Sequence, residues 1–326
     1  MVVCRESGSL VCVKKGANII RNGGVVSFPT ETVYGLGADA FNPDAVRQIF
    51  ALKGRPADNP LIVHIDTLYW LDFLYEYIPD YARAMMENLW PGPLSIILPA
   101  KGSVPSVVRG GLPTVAVRMP AHPYALKLIE YAGTPIAAPS ANLSGRPSPT
   151  SAQHVFEDFG DKVFIIDGGS VAVGVESTVV DATDVPLKIY RLGAITPEDI
   201  QKVTGKPVEI HVKPKDGRPL SPGHAYRHYA PEKPLHVFKD EEAFMRFVEE
   251  HGAIAIALEK YRDITDRFIS LGSDEKDAAA RLYMALRDAD RMEGEVIAAL
   301  MVENEGVGMA VNERMSRAAT YIHGGE

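Results

Sequence analysis

Val25-Val26-Ser27-Phe28-Pro29-Thr30-Glu31-Thr32-Val33-Tyr34-Gly35-Leu36-Gly37 begins as an apolar, β-branched run and is stopped by a proline. After the stop come two hydroxyls, a carboxylate and a phenol, then two glycines that permit close backbone approach. Taken by itself this loop reads equally well as an ordinary strand-to-loop turn. The neighbouring residues give it a context. Residues 43–53 put Val46, Ile49 and Phe50 on one helical face, with Asp44 in the first turn, and residues 61–65 return to an apolar strand pattern. Strand, polar loop, helix and strand in succession is the unit of an open α/β sheet, where ligands gather at strand ends.

Outward from this unit, strand patterns recur at 94–99, 114–118, 136–138, 163–167, 177–181 and 187–191, each bounded by Gly, Pro or Asp. Residues 79–90 and 123–132 open with proline, which suits the first helical position. Residues 1–205 therefore read as one α/β domain. Between 206 and 234 the texture changes: Pro207, Pro214, Pro219, Pro222, Pro231 and Pro234 punctuate a stretch without periodicity, expected to be a linker or a functional lid. Beyond it, 235–238 and 253–258 read as strands, 240–251 as a helix stopped by Gly252, and 275–301 as a long helical region with Ala279, Leu282, Tyr283 and Leu286 in one stripe. Residues 235–326 are thus predicted to form a second, smaller α/β domain.

The 326 residues are 46% hydrophobic and 23% charged, with a formal net charge of -8. An acidic chain is poorly suited to a nucleic-acid backbone, because that affinity comes from cations displacing counterions. No stable nucleic-acid binding is expected, and small-molecule chemistry is favoured. The two cysteines, Cys4 and Cys12, fit neither a zinc spacing nor a disulfide framework. They predict reduced thiols and a cytoplasmic protein. No secretory signal pattern and no apolar run of the ~20 residues needed to span a bilayer occurs, so no membrane partner is expected.

Further loops carry chemistry. Lys53-Gly54-Arg55-Pro56-Ala57-Asp58-Asn59-Pro60-Leu61 sets a lysine and an arginine two apart, able to straddle a phosphate or simply to favour a helix C-terminus, and leads to His64. Trp90-Pro91-Gly92-Pro93-Leu94 precedes a strand in which Arg118 shares a face with Thr114 and Ala116. An inward strand arginine needs an anion, either a substrate carboxylate or a structural acid. Pro139-Ser140-Ala141-Asn142-Leu143-Ser144-Gly145, Glu176-Ser177-Thr178 and Arg191-Leu192-Gly193 add hydroxyls and another cation at strand boundaries. The phosphate loop, the dinucleotide glycine turn, the zinc-protease helix and the serine-hydrolase elbow are all absent.

As an ordered set, Pro-Thr-Glu-Thr-Val-Tyr-Gly-Leu, Lys-Gly-Arg-Pro, Asn-Pro-Leu, Trp-Pro-Gly-Pro-Leu, Pro-Ser-Ala-Asn-x-Ser-Gly and Glu-Ser-Thr-Val-Val-Asp resemble the YrdC/Sua5 family of threonylcarbamoyl-AMP synthases. Ser221-Pro222-Gly223-His224-Ala225-Tyr226-Arg227-His228-Tyr229-Ala230-Pro231 resembles the segment that joins the two domains of the longer, Sua5-type members. The resemblance implies a YrdC-like catalytic domain with a twisted mixed sheet and a Rossmann-like C-terminal domain. It implies a nucleotidyltransferase that makes L-threonylcarbamoyladenylate from L-threonine, bicarbonate and ATP. That product would feed the downstream machinery that forms N6-threonylcarbamoyladenosine in tRNA. Carried over by motif, Thr32, His64, Arg118, Ser140 and Thr178 would hold threonine, with Arg118 on its carboxylate and Tyr34 shaping the amino-acid end. Lys53, Arg55, Asn59, Thr114, Ala138, Ser148, Arg191 and Tyr226 would surround ATP, with Lys53 and Arg55 at the phosphates. Mg2+ would ride on those phosphates with little protein ligation. Glu31 receives no role. The chain departs from the family pattern at His224-Ala225, where Met and a base are usual, and at Leu192, where Pro is commoner. The competing readings are a carbamoyltransferase using carbamoyl phosphate and a double-stranded RNA-binding module.

Overall fold

The computed structural model describes residues 3–4, 10–211 and 228–324. They fall into two compact units, one of residues 3–4, 10–144, 149–172 and 176–211, the other of 145–148, 173–175 and 228–324.

The first unit is built on an eleven-stranded mixed sheet. In chain order its strands are β1 (Val3–Cys4), β2 (Val26–Phe28), β3 (Gly35–Asp39), β4 (Ile62–His64), β5 (Leu94–Pro99), β6 (Thr114–Arg118), β7 (Ile136–Ala138), β8 (Phe164–Ile166), β9 (Thr178–Asp181), β10 (Leu187–Arg191) and β11 (Val208–Ile210). In space they run β1-β8-β2-β3-β7-β4-β6-β5-β9-β10-β11. Parallel pairs (β4 with β6, β5 with β9) alternate with antiparallel ones (β3 with β7, β5 with β6), as a mixed α/β sheet requires. The predicted helix Pro43–Lys53 forms as read, with Asn42 accepting from the Asp44 and Ala45 amides at its start and Gly54 left-handed at its end. Helices Val11–Arg21 and Pro123–Ala132 cover one part of the sheet, where Val13, Ala17, Ile20, Leu128 and Ile129 bury against Phe28, Ile136 and Ile166. Each large aliphatic buried there contributes about 1.5–3 kcal/mol.

Three sequence expectations need correction here. The loop after Pro29 is shorter than read, because Gly35–Asp39 is a strand paired on both sides, to β2 and β7. Its glycines make room inside the protein: a Cβ on Gly37 would stand 2.4 Å from Ile136 and 2.7 Å from the Phe28 ring. The stretch expected to be linker opens with Val208–Ile210, which pairs in parallel with β10. Cys4 and Cys12 form a disulfide. The parallel pairing of β1 with β8 and the packing of helix Val11–Arg21 bring their Cα atoms to 5.7 Å, within bridging range, and this removes the reduced-thiol argument for a cytoplasmic protein.

The second unit carries a five-stranded, all-parallel sheet ordered β14-β13-β15-β12-β16, from β12 (Leu235–Phe238), β13 (Ile254–Ala257), β14 (Phe268–Ser270), β15 (Ile297–Leu300) and β16 (Tyr321–His323). Helices Glu241–His251, Glu275–Arg291 and Gly308–Ala318 alternate with these strands, which gives the Rossmann-like layering expected. The long helical region read to residue 301 ends at Arg291. Ile297-Ala298-Ala299-Leu300 is instead a fully buried central strand, since a short apolar run fits either element by composition. Among the described residues, no helix is long and apolar enough to cross a membrane.

Candidate active site

Arg118 ends β6 and lies in register beside His64, the last residue of β4. The side chain is 3% exposed, so its charge must be met by protein or ligand. Its Nε donates to the Gly92 carbonyl at 3.2 Å and its Nη1 to Thr32 Oγ1 at 2.9 Å. Its Nη2 stands 2.6 Å from Glu31 Oε1. That last contact is a charge pair out of hydrogen-bond alignment: neither Glu31 oxygen nor Arg118 Nη2 has an aligned partner. The carboxylate to which sequence reading gave no role is thus the counter-ion of the arginine expected to hold substrate. Thr30 braces the loop, accepting from the Thr32 and Val33 amides and sharing a 2.9 Å contact with the Thr32 hydroxyl.

His64 packs edge-on to Phe28, with ring centroids 5.9 Å apart. Burial, reinforced by Arg118 and then by the charge of Arg191, pushes its pKa down to about 3. The ring is therefore neutral at physiological pH, and its Nδ1 is buried with no hydrogen-bond partner. An unsatisfied polar atom of this kind fits a ligand hydroxyl or amine.

Lys53 closes the helix Pro43–Lys53, and its ammonium reaches the carbonyls of Ser140 (2.6 Å) and Asn142. Desolvation by burial, then the positive charge of Arg55, holds its pKa well below the usual lysine value, against the pull of Asp158 and Glu176. Ser140 Oγ donates to Asn142 Oδ1 at 2.5 Å, and β3 meets Ser140 through an isolated bridge at Gly35. Arg55 arches over its own loop, Nε and Nη2 donating to the Asn59 and Pro60 carbonyls at 3.4 and 3.1 Å. Asn59 is buried with Oδ1 unsatisfied.

A third group forms at the β9–β10 edge. Arg191 follows a register shift in β10 and donates to the Ser177 carbonyl and hydroxyl, both at 3.0 Å, while Ser177 Oγ lies 2.8 Å from Ser95 Oγ. Thr178 Oγ1 donates to the Ile195 carbonyl at 2.6 Å. Gly193 presses on this turn so closely that a Cβ would stand 2.4 Å from the Thr178 amide nitrogen, so glycine is required there.

The three groups share one electrostatic neighbourhood, since His64 senses Arg118 and Arg191 while Lys53 senses Arg55 and Glu176. Other candidates sit differently. Ala138 ends β7, beside β4. Thr114 opens β6, about 13 Å along the strand from Arg118. Ser148 is buried within the second unit, and Tyr226 lies outside the described residues. Tyr34 clamps a neighbouring loop, donating to the Gly169 carbonyl at 2.7 Å and accepting from the Gly168 amide at 3.0 Å, and burial raises its phenol pKa. Sequence reading missed Glu31, the Gly92 carbonyl, Ser95 and the anchoring of Lys53. Of these, only Ser95 lay outside a motif already quoted; for the others the residue stood in a quoted motif but its partner could not be read.

Chemically this is a set of buried cations, hydroxyls and one neutral imidazole that can bind anions and exclude water, with no paired nucleophile and base. Among the described residues, no cluster of His, Cys, Asp or Glu could hold a metal by itself.

Two family profiles cover the chain. The Sua5/YciO/YrdC profile, described as "Telomere recombination", matches residues 18–193, and the profile described as "Threonylcarbamoyl-AMP synthase, C-terminal domain" matches 195–320. The chain is 47% identical to a threonylcarbamoyl-AMP synthase of Pyrococcus abyssi, over 95% of this chain and 94% of that one. It is 43% identical to a Bacillus subtilis protein of the same name, over 94% and 92%. The crystal structure of P. abyssi Sua5 complexed with L-threonine superposes with a TM-score of 0.90 at 45% identity, covering 98% of each chain. The HypF protein of T. kodakarensis, 20% identical over 57% of this chain with a TM-score of 0.51, shares the fold alone.

Proposed function

The chain belongs to the Sua5/YciO/YrdC family in its two-domain, threonylcarbamoyl-AMP synthase form, and from this premise we propose that it joins L-threonine, bicarbonate and ATP into L-threonylcarbamoyladenylate, pyrophosphate and water. The product would supply the threonylcarbamoyl group for N6-threonylcarbamoyladenosine in tRNA. The observation that carries the reading is the buried Arg118–Thr32–His64 constellation beside Glu31, in a fold matched throughout by a relative solved with L-threonine.

In this reading the threonine carboxylate takes the Nη2 edge of Arg118 that now faces Glu31, and its hydroxyl meets the unsatisfied Nδ1 of neutral His64. Ser140 and Thr178 line the same end. The threonine amine attacks bicarbonate-derived CO2 and loses a proton, giving a carbamate. A carbamate oxygen then attacks the α-phosphorus of ATP, and the bond to the bridging oxygen of pyrophosphate breaks. Such a step needs alignment and charge neutralisation more than a covalent nucleophile. Arg55 and Arg191 supply positive charge, and the Lys53 amine is held in place by the Ser140 and Asn142 carbonyls. Asn59, with its unsatisfied amide oxygen, suits the adenine amine, and Thr114 and Ala138 belong to the same proposed set. Mg2+ would neutralise the triphosphate, arriving mainly on its phosphates and waters, since no protein cage for it is built among the described residues.

Isotopically labelled bicarbonate tests this chemistry. Incubation with threonine and ATP is expected to place the label in the adenylate product, detected by mass spectrometry. Incorporation from labelled carbamoyl phosphate instead, with none from bicarbonate, would replace the synthase by the carbamoyltransferase reading.

A further inference from the structure

The chain leaves β4 at His64 and turns at once into residues 66–80, Asp-Thr-Leu-Tyr-Trp-Leu-Asp-Phe-Leu-Tyr-Glu-Tyr-Ile-Pro-Asp. This segment places large apolar side chains in water. Leu68 is 45% exposed, Tyr69 63%, Phe73 40% and Tyr77 52%. The rings touch one another: Tyr69 with Trp70 at 5.5 Å between centroids, Tyr69 with Phe73 at 5.2 Å, and Trp70 with Phe41 at 6.5 Å. A contiguous exposed aromatic face is uncommon on a soluble domain and marks a binding surface. It is also firmly mounted. Leu71 and Leu74 are buried, Tyr75 donates to the Ile96 carbonyl at 2.6 Å, and the Glu76 amide donates to the Pro99 carbonyl at 3.0 Å. The face is thus pre-organised, and docking there orders little that is not already ordered.

Its charge selects the occupant. Asp66, Asp72, Glu76 and Asp80 lie within the segment and no base does. Set against these four acids, the nearby bases are Lys101, which donates to the Asp72 carbonyl, Arg83, one helical turn beyond Asp80, and Lys127, which pairs with Glu130, so the rim stays acidic on balance. An acidic rim repels a phosphate backbone. It also disfavours a second copy of this chain, whose identical rim would face it in a two-fold dimer. A protein surface with an apolar centre and a cationic rim fits both features.

We propose that this aromatic, acid-rimmed face docks the enzyme that consumes the adenylate. The inference rests on the function proposed above. Threonylcarbamoyladenylate is a mixed carbamic–phosphoric anhydride, which decomposes in water, so transfer across a short path preserves it. Its consumer acts on tRNA, a polyanion, and therefore carries a basic surface. The face begins immediately beyond His64, beside the amino-acid end of the site, where the group to be transferred is made.

The test uses the full chain and the purified tRNA threonylcarbamoyltransferase of the same source in biolayer interferometry at low and moderate salt. Two variants are compared with wild type: Tyr69→Ser/Phe73→Ser, which removes exposed apolar area, and Asp72→Lys/Glu76→Lys, which reverses the rim. Both alter exposed side chains outside the site, so pyrophosphate release is expected to stay unchanged. Either variant should weaken the complex at least about tenfold, and tRNA modification at limiting synthase should fall with it. Absence of a wild-type complex, or a complex that both variants retain, overturns the proposal. So does a concentration-dependent dimer of this chain, or binding of bare tRNA, that the aromatic variant abolishes. If wild type releases no pyrophosphate, the underlying function fails instead, and the two failures are read in separate assays.

Discussion

Arg118 carries two jobs, one seen in the structure and one proposed, and replacing it by Gln removes both. The guanidinium neutralises Glu31, 2.6 Å away with both residues buried, and in the proposed complex it holds the threonine carboxylate. Removing one partner of a buried pair leaves the other charge uncompensated, a loss of about 3–5 kcal/mol of stability. A charged hydrogen-bonded contact to substrate is worth roughly 1.5–3 kcal/mol, or about 10- to 150-fold in threonine affinity. Both losses come from the single substitution, so it cannot distinguish them. The double variant Arg118→Gln/Glu31→Gln can, because a neutral amide pair fills the same space with no stranded charge. Denaturant unfolding of the double variant is expected to recover most of the lost stability, while calorimetric titration finds threonine binding still weak. ATP affinity should change little in either variant. Recovery of both stability and threonine affinity in the double variant would show that Arg118 is purely structural and would refute the assignment; a matching loss of ATP affinity would refute it equally.

His64 gives a pH signature. Its folded pKa lies near 3 against 6.5 for a free imidazole, so its contribution is present in full above about pH 6.5 and drains away as pH falls toward 3. The slope is about 1.4 kcal/mol per unit, or roughly 2–3 kcal/mol by pH 4.5, and His64→Gln should flatten the stability profile by that amount in parallel denaturant titrations; superimposable profiles would mean the ring is solvated. Gly37→Ala forces a Cβ to 2.4 Å from Ile136, so overpacking of about 1–3 kcal/mol is expected as a lower thermal midpoint, and an unchanged midpoint would show that β2, β3 and β7 yield there. Cys4→Ser opens the bridge across eight residues, which lowers stability by roughly 2–3 kcal/mol on the chain-entropy estimate; dithiothreitol should lower the wild-type midpoint and leave the variant's alone, and equal responses would show that the bridge does not form.

Much of this molecule is legible in the sequence wherever one residue's neighbours along the chain decide the outcome. The β-branched runs that became β5, β6 and β10, and the proline- or asparagine-started helices at 43–53 and 123–132, announce themselves by local pattern. The misreadings have a common cause. Gly-Leu-Gly-Ala-Asp looks like a turn, yet it is an interior strand because glycine accommodates Phe28, a residue of the neighbouring strand. Ile297–Leu300 looks helical, and only its parallel partners β12 and β13 make it a strand. Cys4 and Cys12 become a pair only through β1 docking on β8. The same holds for the site. Motifs nominated Thr32, His64, Arg118 and Lys53, but no spacing tells that β4 and β6 run in parallel register with His64 beside Arg118, or that Glu31 meets that arginine. Local chemistry was readable, whereas partners fixed by the sheet were not.

The most direct measurement is pyrophosphate release by the purified chain, with each reactant left out in turn. With L-threonine, bicarbonate, ATP and Mg2+ all present, release should be continuous, and omission of either threonine or bicarbonate should return it to background. Release that persists without threonine or without bicarbonate would contradict the synthase assignment, because the attacking carbamate would then not be what displaces pyrophosphate.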